Sequence, residues 1–176
     1  MSDSRAVVEY LRGQFQQAHG WLEGTMEGVT NEVAQKQPGG KATGIGAQYG
    51  HVVASEDGMI NGLLRGAAPV MATSRAGRTG LSVLPPGDEK WGDWARDVQV
   101  EIDTLRSYAQ DTFAATDSYL ASLSDGDLAR PIDLSFIGLG VQNVGFTLNI
   151  LLSNVHNHCG EIACLKGLQG LKGYPA

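Results

Sequence analysis

The chain has 176 residues, of which 42% are hydrophobic and 18% charged, and its formal net charge is −6 at pH 7. This length predicts a single domain over residues 1–176. Because Lys and Arg do not cluster and the balance is acidic, nucleic acid and anionic membranes are disfavoured as partners. The N-terminus lacks a signal-peptide pattern, and the longest apolar run, 144–152, is too short to span a bilayer. With only two cysteines, we expect a reduced, cytoplasmic protein.

The first half of the chain predicts two helices. Apolar residues recur at helical spacing over about 4–27, where Ser4 is placed to cap the helix. A polar stretch with several glycines, 28–43, is predicted to be a loop. A second helix is expected over about 43–64, with Thr43 as its cap.

The second half predicts two more helices after a long connection. Residues 66–90, here called the crossover, are rich in proline and small residues, and a connection of this length in a compact domain is usually functional. Helices follow over about 90–123 and 142–168, with a short extended stretch at 131–136. We therefore predict an all-α four-helix bundle, with a long crossover between helices two and three.

Histidines are the main candidates for a functional site. On the last helix Asn154 and His158 are one turn apart and share a side, whereas His156 falls on the opposite side. His51 lies midway along the second helix, beside its apolar face. Histidines on facing helices can build a metal site, so His51 and His158 are the predicted pair. The alternative for each is an ordinary hydrogen-bonded structural role.

Two stretches resemble the DinB/YfiT-like superfamily. They are Gly50-His51-Val52-Val53-Ala54-Ser55-Glu56 and Asn154-Val155-His156-Asn157-His158-Cys159-Gly160-Glu161-Ile162. The resemblance implies a four-helix bundle that holds one divalent metal, zinc or nickel, by three histidines. It also implies a small-molecule substrate, a low-molecular-weight thiol as cosubstrate, transferase or isomerase activity and a homodimer.

The resemblance assigns the metal to His51, Asn154 and His158. His51 and His158 match two family positions, but Asn154 stands where the family usually has histidine or glutamate. An amide oxygen is a poor zinc ligand. Asn154 could instead orient a metal-bound water, and Glu161 or Glu56 could contribute a carboxylate; the alternative for Glu56 is a buried hydrogen bond.

Other residues receive weaker predictions. His156 could be the third ligand only if the last helix were distorted, and His19 is expected on the surface. Cys159 is expected to be buried packing. Trp91 and Trp94 are expected to clamp the crossover, and Gln48 and Tyr49 are expected to line a pocket mouth. These last assignments compete with ordinary packing.

Three functions remain open at this point. The first is a metal-dependent enzyme that activates water or a thiol. The second is a catalytically silent helical bundle that acts as a stress-related binding or interaction protein. The third is a bundle that binds a small ligand in an apolar pocket under the crossover, without a metal.

Overall fold

The computed structural model describes residues 4–87 and 90–175, and most of them are helical. The helices, in chain order, are α1 (Ala6–Thr25), α2 (Asn31–Gln35), α3 (Ile45–Asp57), α4 (Trp91–Asp97), α5 (Ile102–Ser122) and α6 (Val144–Leu168). Strands β1 (Pro131–Asp133) and β2 (Val141–Asn143) form a small antiparallel hairpin with Ile132 opposite Gln142. The first strand lies in the stretch predicted to be extended, and the second was not predicted.

Four long helices form the bundle. α1 and α3 each pack against both α5 and α6. α1 is therefore diagonally opposite α3 in the bundle, and α5 is diagonally opposite α6. This confirms the predicted all-α four-helix bundle. Within the described residues, no helix combines the length and apolar character needed to cross a membrane.

The core is divided into two apolar clusters along the bundle. One contains Leu22, Ile45, Tyr108 and Ile162, and the other contains Phe15, Ile60, Leu120 and Leu148. Between them, the helices contribute a buried polar layer; its members are His19, Glu56, Asp57, Thr112 and Thr116. This layer lies at the level at which the crossover meets α3.

Both predicted helix caps are wrong. Ser4 does not cap α1; Asp125 does, because its Oδ1 accepts the backbone N–H groups of Val7 and Val8 at 3.0 and 2.9 Å. The Ser4 hydroxyl instead donates to the other oxygen of Asp125. Thr43 precedes α3 by two residues, and Gly44 is the residue at its N-cap. Helix starts can be satisfied by distant side chains, which a local pattern does not detect.

The predicted third helix is interrupted. The segment between α4 and α5 is extended, and Val100 forms an isolated bridge with Leu81 of the crossover. Asn31 and Gln35 of α2, which lies in the predicted loop, accept the N–H groups of Ile102 and Val100. Pairing with the crossover and these side-chain acceptors therefore replaces helical hydrogen bonds at this point.

α3 does not end at Asp57. It continues as a π-helix over Gly58–Leu64, a wider turn that often occurs at functional positions. The following crossover is tied back to α3 by Asp57, whose two carboxylate oxygens accept the N–H groups of Val70 and Met71, both at 2.8 Å. These bonds position the start of the crossover over one face of α3.

Candidate functional site

A cavity of about 650 Å³ lies between α3, α6 and the crossover, and we call it the crossover pocket. Its size is within the range of small-molecule sites. Among the described residues most of its wall is apolar, and the polar side chains are those of His51, Ser55 and Asn154. The remaining described lining residues are Ala54, Gly58, Met59, Leu63, Met71, Leu84, Pro85, Pro86, Gly87, Trp91, Phe136, Ile137, Ile150 and Leu151.

His51 is held at the polar end of this pocket by neighbouring side chains. The Trp91 indole N–H donates to His51 Nδ1 at 3.0 Å, and the Ser55 hydroxyl lies 3.4 Å from the same nitrogen. His51 Nε2 makes no hydrogen bond with any residue that the structure describes. One ring nitrogen is therefore committed to the protein and the other is available.

Burial and charge both keep His51 neutral. Loss of solvent around the ring, and then the electrostatic effect of the neighbouring His158, lower the pKa of His51 to about 4. A histidine with this pKa is uncharged at neutral pH. The available nitrogen therefore belongs to a neutral imidazole.

The structure brings His51 and His158 together, as the helix geometry predicted. Their rings meet edge to face with centroids 5.1 Å apart. His158 is 16% exposed, and its Nδ1 lies 2.7 Å from Glu161 Oε2, so that Glu161 orients the ring. Asn154, one turn before His158, lines the crossover pocket. His156 is exposed on another side of α6.

The side chains present fit a divalent metal only in part. They offer two imidazoles and one amide, and the described residues contain no group of three His, Cys, Asp or Glu side chains that could hold a metal. Trp91 also occupies the Nδ1 lone pair of His51, which places the proton of the neutral ring on Nε2. Ligation through Nε2 would require the opposite tautomer.

Glu56 and His19 form a buried pair in the polar layer. His19 Nε2 lies 3.0 Å from one oxygen of Glu56, and Thr116 donates to the other oxygen at 2.6 Å. The His19 ring stacks on Phe113 with a centroid distance of 3.8 Å. The surface position predicted for His19 is therefore wrong, because α5 covers it. Glu56 makes buried hydrogen bonds, which is the alternative to a metal-binding role given for it above.

Asp57 is the residue that the sequence analysis missed. Besides the crossover N–H groups, it accepts hydrogen bonds from Asn61 and from the Tyr108 hydroxyl, each at 2.8 Å. Burial and this carboxylate raise the pKa of Tyr108 far above its ordinary value. Its signal in the sequence is a second carboxylate beside Glu56 in a helix that has no other Asp, Glu, Lys or Arg side chain. By accepting the Met71 N–H, Asp57 fixes Met71 in the pocket wall.

Other predicted residues have clear positions. Trp94 donates its indole N–H to the Val83 carbonyl at 2.8 Å and so clamps the crossover as expected, whereas Trp91 holds His51. Gln48 and Tyr49 are buried in the bundle, so their predicted place at a pocket mouth is wrong. Cys159 is buried, as expected, and both cysteines are free thiols.

The fold and the two facing histidines define a class of helical bundle with a histidine-lined pocket beneath a crossover. The family model of the DinB superfamily matches residues 6–162. The chain belongs to the DinB superfamily, which confirms the resemblance. A solved structure of a conserved protein from Enterococcus faecalis has the same fold, with a TM-score of 0.76 and 21% identity; the match covers 91% of this chain and 95% of that one. None of the curated proteins compared with the chain matches it significantly.

Proposed function

We propose that this chain binds a small, largely apolar molecule in the crossover pocket. The observation that carries the proposal is a cavity of about 650 Å³ whose described wall is mostly apolar and includes three neutral polar side chains, those of His51, Ser55 and Asn154. Sites for small molecules typically combine an apolar wall with a few polar groups that set orientation. Hydrogen bonds that Asp57 accepts from the crossover backbone, and the one that Trp94 donates to it, fix the crossover wall in the absence of a ligand.

The test uses N-phenyl-1-naphthylamine, an uncharged apolar probe whose fluorescence rises in an apolar site. Gly58 lines the pocket, and a Cβ there would meet only Met71 Cε, at 3.7 Å. Gly58→Leu should therefore fill part of the cavity and weaken probe binding at least tenfold.

Gly62→Leu is the matched control. Gly62 lies in the same π-helical segment, a Cβ there would meet only Pro69 Cγ, at 3.6 Å, and the residue is outside the pocket lining. The control should bind the probe like the wild type. Absence of saturable binding, or equal loss in both variants, would contradict the proposal.

Metal-dependent chemistry is the second candidate, favoured by the contact between His51 and His158. Four features stay predictions. They are zinc or nickel held by His51, Asn154 and His158, a thiol-dependent transfer or isomerisation, a homodimer, and a cytoplasmic location. Elemental analysis of the native protein checks the metal. Native protein that carries one metal ion per chain, lost in a His51→Ala, His158→Ala double variant, would support this candidate. Equally low metal in both would refute it.

The catalytically silent bundle is a third reading of the same site. It predicts that Zn²⁺ or Ni²⁺ leaves the melting temperature unchanged. Asn154→His distinguishes a weakened metal site from none: if the variant binds metal much more tightly than the wild type, the native site lacks only its third strong ligand.

A further inference from the structure

The hydrogen bond from Trp91 determines which ring nitrogen of His51, a residue that lines the crossover pocket, carries the proton. An indole N–H can only donate, so His51 Nδ1 must accept with its lone pair at 3.0 Å. In a neutral imidazole one nitrogen donates and the other accepts. His51 Nε2 therefore carries the proton, and it makes no hydrogen bond within the described residues.

We infer that Trp91 fixes His51 as a hydrogen-bond donor through Nε2, and that the pocket selects an uncharged, largely apolar ligand with an oxygen that accepts this bond. The inference rests on the proposed function of the crossover pocket. A ketone, ester or amide carbonyl has the required chemistry.

The rest of the pocket favours the same class of ligand. Ser55 and Asn154 are uncharged, and the wall around them is apolar, with Met59, Met71 and Leu151 among its members. Moving an ion from water against an apolar wall is costly unless an opposite charge pairs with it, whereas a neutral carbonyl needs only one donor. A charged ligand is therefore poorly matched to this pocket.

The first experiment measures the His51 tautomer in the ligand-free protein by ¹⁵N NMR of the imidazole nitrogens near pH 7. We expect the Nε2–H form in the wild type and a mixture of both forms in Trp91→Phe. Trp94→Phe is the matched control, since its indole N–H bonds the Val83 carbonyl and not a histidine; it should keep the Nε2–H form. An Nδ1–H form in the wild type, or no change in Trp91→Phe, would overturn the inference.

The second experiment compares ligands of one size by displacement of N-phenyl-1-naphthylamine. Acetophenone carries a carbonyl, ethylbenzene lacks an acceptor, and benzoate carries a charge. The preference for acetophenone over ethylbenzene should fall about fivefold in His51→Phe, as expected for one lost hydrogen bond. Benzoate should bind at least tenfold more weakly than acetophenone.

The outcomes separate the two claims. An unchanged preference in His51→Phe, or tighter binding of benzoate, would overturn the inference while ligand binding stands. If the wild type does not bind the probe at all, the proposed function fails, and with it the ligand class. The tautomer measurement then still decides whether Trp91 controls His51.

Discussion

Two polar regions of α3 differ in how fully their atoms are bonded. Glu56 and Asp57 are buried, and each of their four carboxylate oxygens accepts at least one hydrogen bond from another side chain or from the crossover. His51, one to two turns earlier, lines a cavity; its Nδ1 is bonded, and its Nε2 has no hydrogen bond within the part of the chain that the structure describes. A fully bonded buried group stabilises the fold, whereas a partly bonded group at a cavity can contact a ligand. Carboxylates and histidines are both candidate ligand-binding side chains in a sequence. Residue type alone therefore does not show which of the two regions can contact a ligand.

The largest effect is expected at Asp57. Asp57→Ala should lower the free energy of unfolding by about 4 kcal/mol, because four donors, two of them crossover N–H groups, lose their acceptor. Urea unfolding followed by circular dichroism measures the loss. Asp97→Ala is the control, an exposed carboxylate at the end of α4, with an expected change below about 0.5 kcal/mol. Similar values for the two variants would remove the structural role of Asp57.

The next effect is expected at His19. His19→Ala should lower the free energy of unfolding by about 2–3 kcal/mol, because Glu56 loses its buried partner and Phe113 loses a stacked ring. His156→Ala, on the exposed side of α6, should change stability by less than about 0.5 kcal/mol. The same urea experiment compares them. If His19→Ala is as mild as His156→Ala, His19 is not part of a buried pair.

His51 should make stability depend on pH in one direction. Its pKa is about 4 in the folded protein and about 6.5 in the unfolded chain. Between these values the unfolded chain binds the proton and the folded protein does not, so stability falls as pH falls. From pH 6.5 to 4.5 the wild type should lose about 2 kcal/mol more than His51→Gln. Below about pH 4 the folded protein is also protonated, and the extra loss levels off.

A parallel pH dependence in His51→Gln would contradict this expectation. Other groups titrate in the same range, but their effects are shared by both proteins and cancel in the difference. The variant keeps an amide oxygen that can accept the Trp91 indole N–H. The comparison therefore isolates the ring of His51 from the position of Trp91.

Much of the fold follows from helical periodicity in the sequence. α1 and α6 carry long apolar stripes, and their predicted bounds differ from the observed ones by only a few residues. The same periodicity places His158 beside the apolar face of α6, and the structure brings it to His51. Periodicity works here because a bundle buries one side of each helix.

The remaining features depend on contacts distant in the sequence. The surface position predicted for His19 is wrong because the stripe of α1 alone does not reveal that Phe113 of α5 covers it. The break before α5 depends on pairing between Val100 and Leu81, and the role of Asp57 depends on the path of the crossover. The donor state of His51 depends on Trp91, forty residues later in the chain.

The last prediction involves the smallest change in free energy and tests ligand binding most directly. The measurement is methyl NMR of the methionines during a titration with acetophenone. Met59 and Met71 line the crossover pocket, whereas Met26 is buried in the core. We expect the Met59 and Met71 signals to shift and to saturate with one dissociation constant, while the Met26 signal does not move. Unsaturated shifts, equal shifts at Met26, or no shift at Met59 and Met71 would contradict a ligand site in the crossover pocket.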